Sequence, residues 1–456
     1  MVQRHPASFK DPSGFVFQAD GKIYRQVNKR YAATYDQLLS SGLYHQLVNE
    51  QLLVAHTEVN EYTSEFPGAC KILLPEQIPV ISYPVEWCFN QLQDAALATL
   101  RIAETAMQQN MMLKDATPYN IQFVKGRPVW IDTLSFDVYE ETQPWVAYRQ
   151  FCETLLYPLM LCHYRGLEMR EIFGAWPEGI PATVIAALLP RKTRFSMGTA
   201  LHVHLPASAY AKQKKNEQKK VAFSRSKMER MLQHLTAVVS RLKKGKRRSV
   251  WADYYEDTIL SKQYLADKEK QCLKLLSGIT FETVFDAGCN DGNFTKLLAP
   301  KAKHILAADT DEQVIANLYA YIKQHRVENI LPLVADLTNP AAASGVLNRE
   351  RQPFLERCKA GLVLALALVH HLCISRFMQF AQVAETFGGM GKYLLIEFVP
   401  ASDEKAQQLL AGRDALFADY TEEHFINAFE ERYKILSVSP VAASNRKLFL
   451  MEKKSI

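Results

Sequence analysis

The spacing of hydrophobic and polar positions changes character along the chain and divides it into three blocks, 1–205, 206–250 and 251–456. The first block opens with two alternating runs, Gly14-Phe15-Val16-Phe17 and Lys22-Ile23-Tyr24-Arg25-Gln26-Val27, with Asp20-Gly21 between them. Alternation marks half-buried strands, and Asp-Gly accepts the positive φ of a tight turn, so a β-hairpin is predicted. Helical periodicity predicts a long helix over about 35–59 and another, rich in Ala and Leu, over about 90–110. Short strands are predicted at 121–124 and 128–131, around Lys125-Gly126-Arg127, and the remainder to Leu205 reads as mostly helical. The block is therefore expected to be a mostly helical α+β domain.

In the second block Met228, Met231, Leu235, Val238 and Leu242 recur at helical spacing, which predicts one amphipathic helix. Basic clusters bracket it: Lys212, Lys214, Lys215, Lys219 and Lys220 before, and Lys243, Lys244, Lys246, Arg247 and Arg248 after. The plain reading is a solvated linker with one face docked on a domain. The sharper one is a patch for an anionic partner such as RNA or a phosphorylated substrate. The third block alternates apolar strands with helices. Strands are predicted at 283–286, 304–308, 330–334, 362–366 and 393–398, with two more near 433–437 and 447–451. That pattern implies an α/β domain, a mostly parallel seven-stranded sheet covered on both faces.

A chain of 456 residues exceeds one ordinary core, so at least two domains are expected. Its 48% hydrophobic and 22% charged residues are those of a globular protein, and a net charge of +6 is too small to mark a general nucleic-acid binder. The eight cysteines contain no C-x-x-C pair, which argues against a disulfide framework or a zinc site. The first ten residues are polar, with no secretory apolar segment. The longest apolar run, 362–369, falls far short of the roughly 20 residues that span a bilayer. A cytoplasmic protein is expected.

The densest chemistry follows the first strand of the third block, in Asp286-Ala287-Gly288-Cys289-Asn290-Asp291-Gly292. Glycines at 288 and 292 permit a sharp turn and a close approach by a ligand, and the next helix offers its amino end. The second strand ends at Asp309, placed to bond ribose hydroxyls, and the third leads into Asp336-Leu337. The spacing is G-x-x-x-G, not the G-x-G-x-x-G of dinucleotide sites, which disfavours a nicotinamide cofactor. The bland alternative is a tight turn that binds nothing.

With these residues in place the third block resembles the class I S-adenosylmethionine-dependent methyltransferases. The resemblance implies a Rossmann-like fold and S-adenosyl-L-methionine as cofactor. It assigns the methionine part to Asp286, Gly288 and Gly292, in a loop that includes Ala287, the ribose to Asp309, and the adenine to Asp336 and Leu337. Asn290 stands where the family has its middle glycine, and Asn tolerates left-handed backbone better than most residues. More narrowly, the segments 336–340, 364–372 and 396–400, with Tyr83-Pro84-Val85-Glu86-Trp87 and 113–120, resemble a group of bacterial nodulation-protein-related methyltransferases. That group suggests a carbohydrate or other small-molecule acceptor. His370 and His371 follow the fourth strand, where a histidine could take a proton from an acceptor hydroxyl. Glu397, at the end of the fifth, is a second candidate contact.

A second constellation lies in the first block. Asp115-Ala116-Thr117-Pro118-Tyr119-Asn120, two short strands and Asp132 resemble the catalytic loop of protein kinases and aminoglycoside phosphotransferases. The resemblance implies Asp115 as the base-like residue, Asn120 and Asp132 as magnesium ligands, and ATP as donor. Leu113-Lys114 and Thr133-Leu134 depart from that family, and Lys22 is only a nominal stand-in for its strand lysine. A turn-rich structural hairpin is the simpler alternative. The leading expectation is a methyltransferase whose kinase-like first domain helps select the acceptor. The rivals are a bifunctional kinase–methyltransferase, an RNA methyltransferase and a non-catalytic cofactor-binding module.

Overall fold

The computed structural model describes residues 2–59, 68–212, 223–245 and 262–455. Internal contacts divide the chain into two compact units, one of residues 1–247 with 345–351, the other of 248–344 with 352–456.

The first unit begins with a five-stranded antiparallel sheet. Its strands are β1 (Gln3–Arg4), β2 (Gly14–Ala19), β3 (Lys22–Asn28), β4 (His56–Glu58) and β5 (Ala69–Pro75). β2 and β3 form the predicted hairpin: Ala19 faces Lys22, and Asp20 and Gly21 both have positive φ, at 50° and 75°. Its alternating side chains put Phe15, Phe17 and Tyr24 into one core with Ile72. The long helix expected over 35–59 does not form. Helices Ala32–Ser40 and Leu43–Asn49 are separated at Gly42, whose φ of 81° no continuing helix accommodates. The chain then extends into β4, which pairs with β5, a distant partner that local periodicity does not register.

Helix Phe89–Gln108 is the centre of this unit, with Leu92, Ala95, Ala96, Leu100, Ala103 and Ala106 fully buried. Its alanines leave room for a close neighbour, and helix Arg225–Arg241 packs there through Met228, Leu232, Leu235 and Val239. The docked face thus runs through Leu232 and Val239; Met231 and Val238, expected on it, are only half-buried. Gln93 Nε2 fastens the helix by donating to the carbonyls of Val239 and Leu242, both at 2.9 Å. Most of the basic clusters, at 214–220 and 246–248, lie outside the described residues. After the central helix come β6 (Met111–Leu113), the hairpin β7 (Ile121–Val124) to β8 (Arg127–Trp130), and β9 (Phe136–Val138), which pairs back on β6. Short helices fill the segment to 212.

The second unit is built on β10 (Thr283–Ala287), β11 (His304–Asp309), β12 (Ile330–Val334), β13 (Ala360–Ala365), β14 (Gly391–Phe398), β15 (Tyr433–Pro440) and β16 (Lys447–Lys453). They lie in the order β12-β11-β10-β13-β14-β16-β15, parallel except for β16, which is antiparallel to both neighbours. This is a Rossmann-like sheet, with strand order reversing between β10 and β13. The central strands are buried on both faces, which explains their unbroken apolar runs at Leu362–Ala365 and Leu394–Ile396.

Truncating Leu232, whose side chain is wholly buried, is expected to cost about 2–5 kcal/mol. The Leu232→Ala protein should unfold at a lower urea concentration and be cut sooner by protease within 223–245.

Candidate functional site

A cavity of about 420 Å³ opens at the carboxyl ends of β10–β13, where the strand order reverses. That edge is where open α/β sheets bind ligands, and the volume suits a small cofactor. Asp286, Gly288, Asn290, Asp309, Asp336, Leu337 and His371 all line it. Ala287 and Gly292 do not: Ala287 is core, and a Cβ on Gly292 would meet Leu318 Cδ1 at 2.7 Å. Gly292 therefore lets the loop pack against helix Glu312–His325, while Gly288 borders the cavity.

The loop is held by short bonds. Gly288 and Cys289 donate their N–H groups to the Ala308 carbonyl at 2.8 and 3.0 Å. Asn290 has a φ of 51°, so it takes the left-handed conformation expected of the residue replacing glycine. Its N–H donates to Asp309 Oδ2 at 2.9 Å, while Asp309 Oδ1 accepts the N–H of Asp311 at 3.0 Å. Asp309 thus shapes the loop and reaches the cavity at once. Burial pushes its carboxyl up, against the pull of these backbone bonds.

Asp286 is nearly sealed from water and accepts Thr295 Oγ1 at 2.5 Å. Burial, with Asp309 nearby, pushes its carboxyl up to about 6, against the Thr295 bond and Lys268. Asp336 Oδ1 accepts both the N–H and the hydroxyl of Thr338, at 2.9 and 2.6 Å, and Arg376 lies 3.5 Å from its other oxygen.

Beyond β13 the chain turns through Ala367, at a φ of 50°, into His370 and His371. The two rings lie 4.1 Å apart but have different surroundings. His371 borders the cavity, and burial, with Arg446 and Lys405, lowers its pKa to about 4. His370 is fully buried behind it, with no hydrogen-bond partner for either ring nitrogen among the described residues, and burial first, then His371, pushes its pKa well below the usual value.

Glu397 does not line the cavity. Its carboxylate, wholly buried, accepts Tyr264 Oη at 2.6 Å, Lys268 Nζ at 2.6 Å and the Ala367 N–H at 2.7 Å. Arg446 lies 3.9 Å away and forms a bidentate pair with Asp403 at 2.8 and 2.9 Å. Burial raises Glu397, but Lys268 and Arg446 outweigh it and hold the carboxyl below its usual range. Lys268 itself reaches the cavity wall, its ammonium 5.0 Å from the Phe294 ring centre. Sequence reading missed Tyr264, Lys268 and Arg446; nothing local marks a lysine whose partner is 129 residues away.

In the first unit the structure brings Asp115, Asn120 and Asp132 together with one another. Asn120 Nδ2 donates to Asp115 Oδ2 at 3.1 Å, and Asp115 Oδ1 accepts the Thr117 N–H at 3.1 Å. Burial, then the charge of Asp132, raises the Asp115 carboxyl. Asp132 pairs with Arg25 and accepts Ser135 Oγ at 2.6 Å. Lys22 is exposed at the start of β3, so the residue of this strand facing the acid is Arg25, three positions on. Among the described residues no group of three or more His, Cys, Asp or Glu side chains is arranged to hold a metal.

The raised Asp286 carboxyl has a consequence for stability. Its folded pKa exceeds the unfolded value, so the native state loses stability as pH rises from about 4 to about 6 and stays penalised above that. Asp286→Asn removes the buried charge and still accepts the Thr295 hydroxyl. It should stabilise the ligand-free protein at pH 7 by on the order of 1–3 kcal/mol, with no gain at pH 4, by calorimetric unfolding.

No family model matches the chain. The nodulation protein NoeA of Rhizobium meliloti (strain 1021) is 32% identical over 463 residues, spanning 99% of this chain and 96% of that protein. Among solved structures, the N-methyltransferase NodS from Bradyrhizobium japonicum WM9 with S-adenosyl-L-homocysteine is 12% identical, covering 45% of this chain and 97% of its own, at a TM-score of 0.33. The magnesium protoporphyrin IX methyltransferase ChlM from Synechocystis PCC 6803 is 12% identical, covering 46% and 90%, at a TM-score of 0.32. Matched along nearly its whole length at that identity, the chain belongs to the family of the nodulation protein NoeA.

Proposed function

We propose that the second unit is an S-adenosylmethionine-dependent methyltransferase acting on a carbohydrate or other small-molecule acceptor, with the first unit helping to recognise that acceptor. The observation that carries this reading is the convergence of Asp286, Asp309 and Asp336 with the open backbone of Gly288 on one cavity. The residues present fit the cofactor. Asp286, buried and able to ionise near neutrality, suits the amino group of the methionine part. Asp309 suits the ribose hydroxyls, and Asp336 with Leu337 the adenine. When bound, S-adenosylmethionine supplies an electrophilic methyl group. This chain's residues orient the acceptor toward it and exclude water.

His371 is the residue best placed to meet an acceptor hydroxyl. A pKa of about 4 makes it a weak proton store, so it orients the hydroxyl as a neutral hydrogen-bond acceptor better than it serves as a full base. His370, sealed behind it, sets the position of the His371 ring.

Calorimetric titration with S-adenosylmethionine and S-adenosylhomocysteine tests the central claim. The wild type should bind both, and Gly288→Arg, which fills the ligand side of the loop, should bind neither. Affinity should be full above pH 6 and weaken by about tenfold per pH unit well below it, as Asp286 takes up a proton. Absence of wild-type binding, or unchanged binding by the arginine variant, overturns the reading.

The first unit combines an antiparallel sheet, a long buried helix and the Asp115–Asn120 loop before a hairpin that leads to Asp132. That order supports a kinase-like recognition domain. The Arg25 guanidinium on Asp132 argues against phosphotransfer, because it neutralises the carboxylate that would hold magnesium. The full chain with magnesium and ATP should release no phosphate above background. ATP turnover that Asp132→Ala abolishes would establish the bifunctional enzyme instead.

A further inference from the structure

One helical run of the first unit wears its apolar side outward. It starts with the turn Arg191–Phe195 and continues through Met197–Thr199, a wide π-turn Ala200–His204 and Leu205–Lys212. Its inner side is fixed by polar contacts. His202 bonds Tyr148 Oη at 2.7 Å and His234 Nδ1 at 2.8 Å, and Tyr157 Oη donates to the His202 carbonyl at 2.7 Å. Thr199, Val203 and Ala207 fill the remainder of that buried face.

The outer side carries Met197, Leu201 and Leu205 at intervals of four residues, exposed by 72%, 45% and 61%. Phe195, at the end of the preceding turn, is 94% exposed. A surface helix ordinarily shows water a polar stripe, and here the exposed row is apolar. Contiguous exposed apolar side chains of this size mark an interaction surface.

The charge carried by this stretch of chain has one sign. Arg191, Lys192 and Arg194 are exposed, and Thr193 Oγ1 bonds His204 Nε2 at 3.0 Å, which keeps this basic turn beside the apolar row. No Asp or Glu occurs in the sequence between Glu178 and Glu217.

We propose that this face docks the protein on an anionic lipid bilayer. Phe195, Met197, Leu201 and Leu205 would enter the boundary between headgroups and acyl chains, with Arg191, Lys192 and Arg194 on the lipid phosphates. Apolar insertion flanked by basic residues is how interfacial helices hold such surfaces. No spanning segment is needed, and among the described residues no helix is long and apolar enough to cross a membrane.

Co-sedimentation of the full chain with vesicles tests it, using phosphatidylcholine alone against phosphatidylcholine with about 30 mol% phosphatidylglycerol. The protein should bind the anionic vesicles, prefer them to the neutral ones and be released by salt. A Phe195→Ser/Leu201→Ser/Leu205→Ser protein should keep the wild-type unfolding temperature, since these side chains are exposed, and bind about tenfold more weakly or less. Three outcomes overturn the proposal: no binding to anionic vesicles, equal binding to both kinds, or binding unchanged in the triple variant. A concentration-dependent dimer that the triple variant loses, without vesicle binding, would assign the face to a second copy of the chain.

Discussion

Glu397 reaches the end of β14 with its carboxylate entirely out of water, and the cavity edge of the second unit is organised around keeping that charge compensated. An isolated buried carboxylate costs several kcal/mol, so a site like this survives only when its partners are complete. Here they come from three separated stretches: Tyr264 and Lys268 from the helix before the sheet, Arg446 from the approach to β16, and the Ala367 N–H from the loop after β13. Arg446 is balanced in turn by Asp403. Removing one partner leaves a charge stranded, so the group acts as a unit, and it ties the strand edge, the preceding helix and the histidine loop to one another.

That bonding also explains the cavity. Ala367 has a left-handed backbone without being glycine, a conformation that costs energy and persists where surroundings impose it. The Glu397 carboxylate, accepting its N–H at 2.7 Å, anchors that turn. From that turn the chain carries His371 to the cavity and folds His370 behind it. On the opposite side Asp309 fixes Asn290 in the same left-handed region. Two acids, one on each flank, set the loops whose backbone forms the cavity walls.

The strands and the glycine loop were legible in the sequence because their signals are local. Apolar runs of five or six residues between turn residues marked the buried strands, and Asp20-Gly21 marked a hairpin by its backbone preference alone. The long helix over 35–59 failed because Gly42 and the pairing of β4 with β5 override periodicity, and that pairing depends on a strand some fifteen residues further along. At the candidate site the acids at 286, 309 and 336 were visible by position after strands. The role of Glu397 was not, since a carboxylate at a strand end looks the same whether it faces a ligand or a lysine. His370 and His371 could not be told apart either, because adjacent residues differ only in the direction the backbone turns them. In the first unit, the acid pair was evident while Arg25, its neutralising partner, was hidden among ordinary strand positions.

Cys289 sits in the middle of the 286–292 loop and borders the cavity, where an ionised thiol would be open to oxidation and alkylation. It is not ionised: burial first, then the charges of Asp286, Asp309 and Asp291, push its pKa well above the usual thiol value. The thiolate is the reactive form, so burial and the neighbouring acids together keep this sulfur chemically quiet. Asp286 and Asp309, which border the same cavity, thus help to protect the loop from redox damage, and a change that neutralised them would leave burial alone to hold the proton on the sulfur.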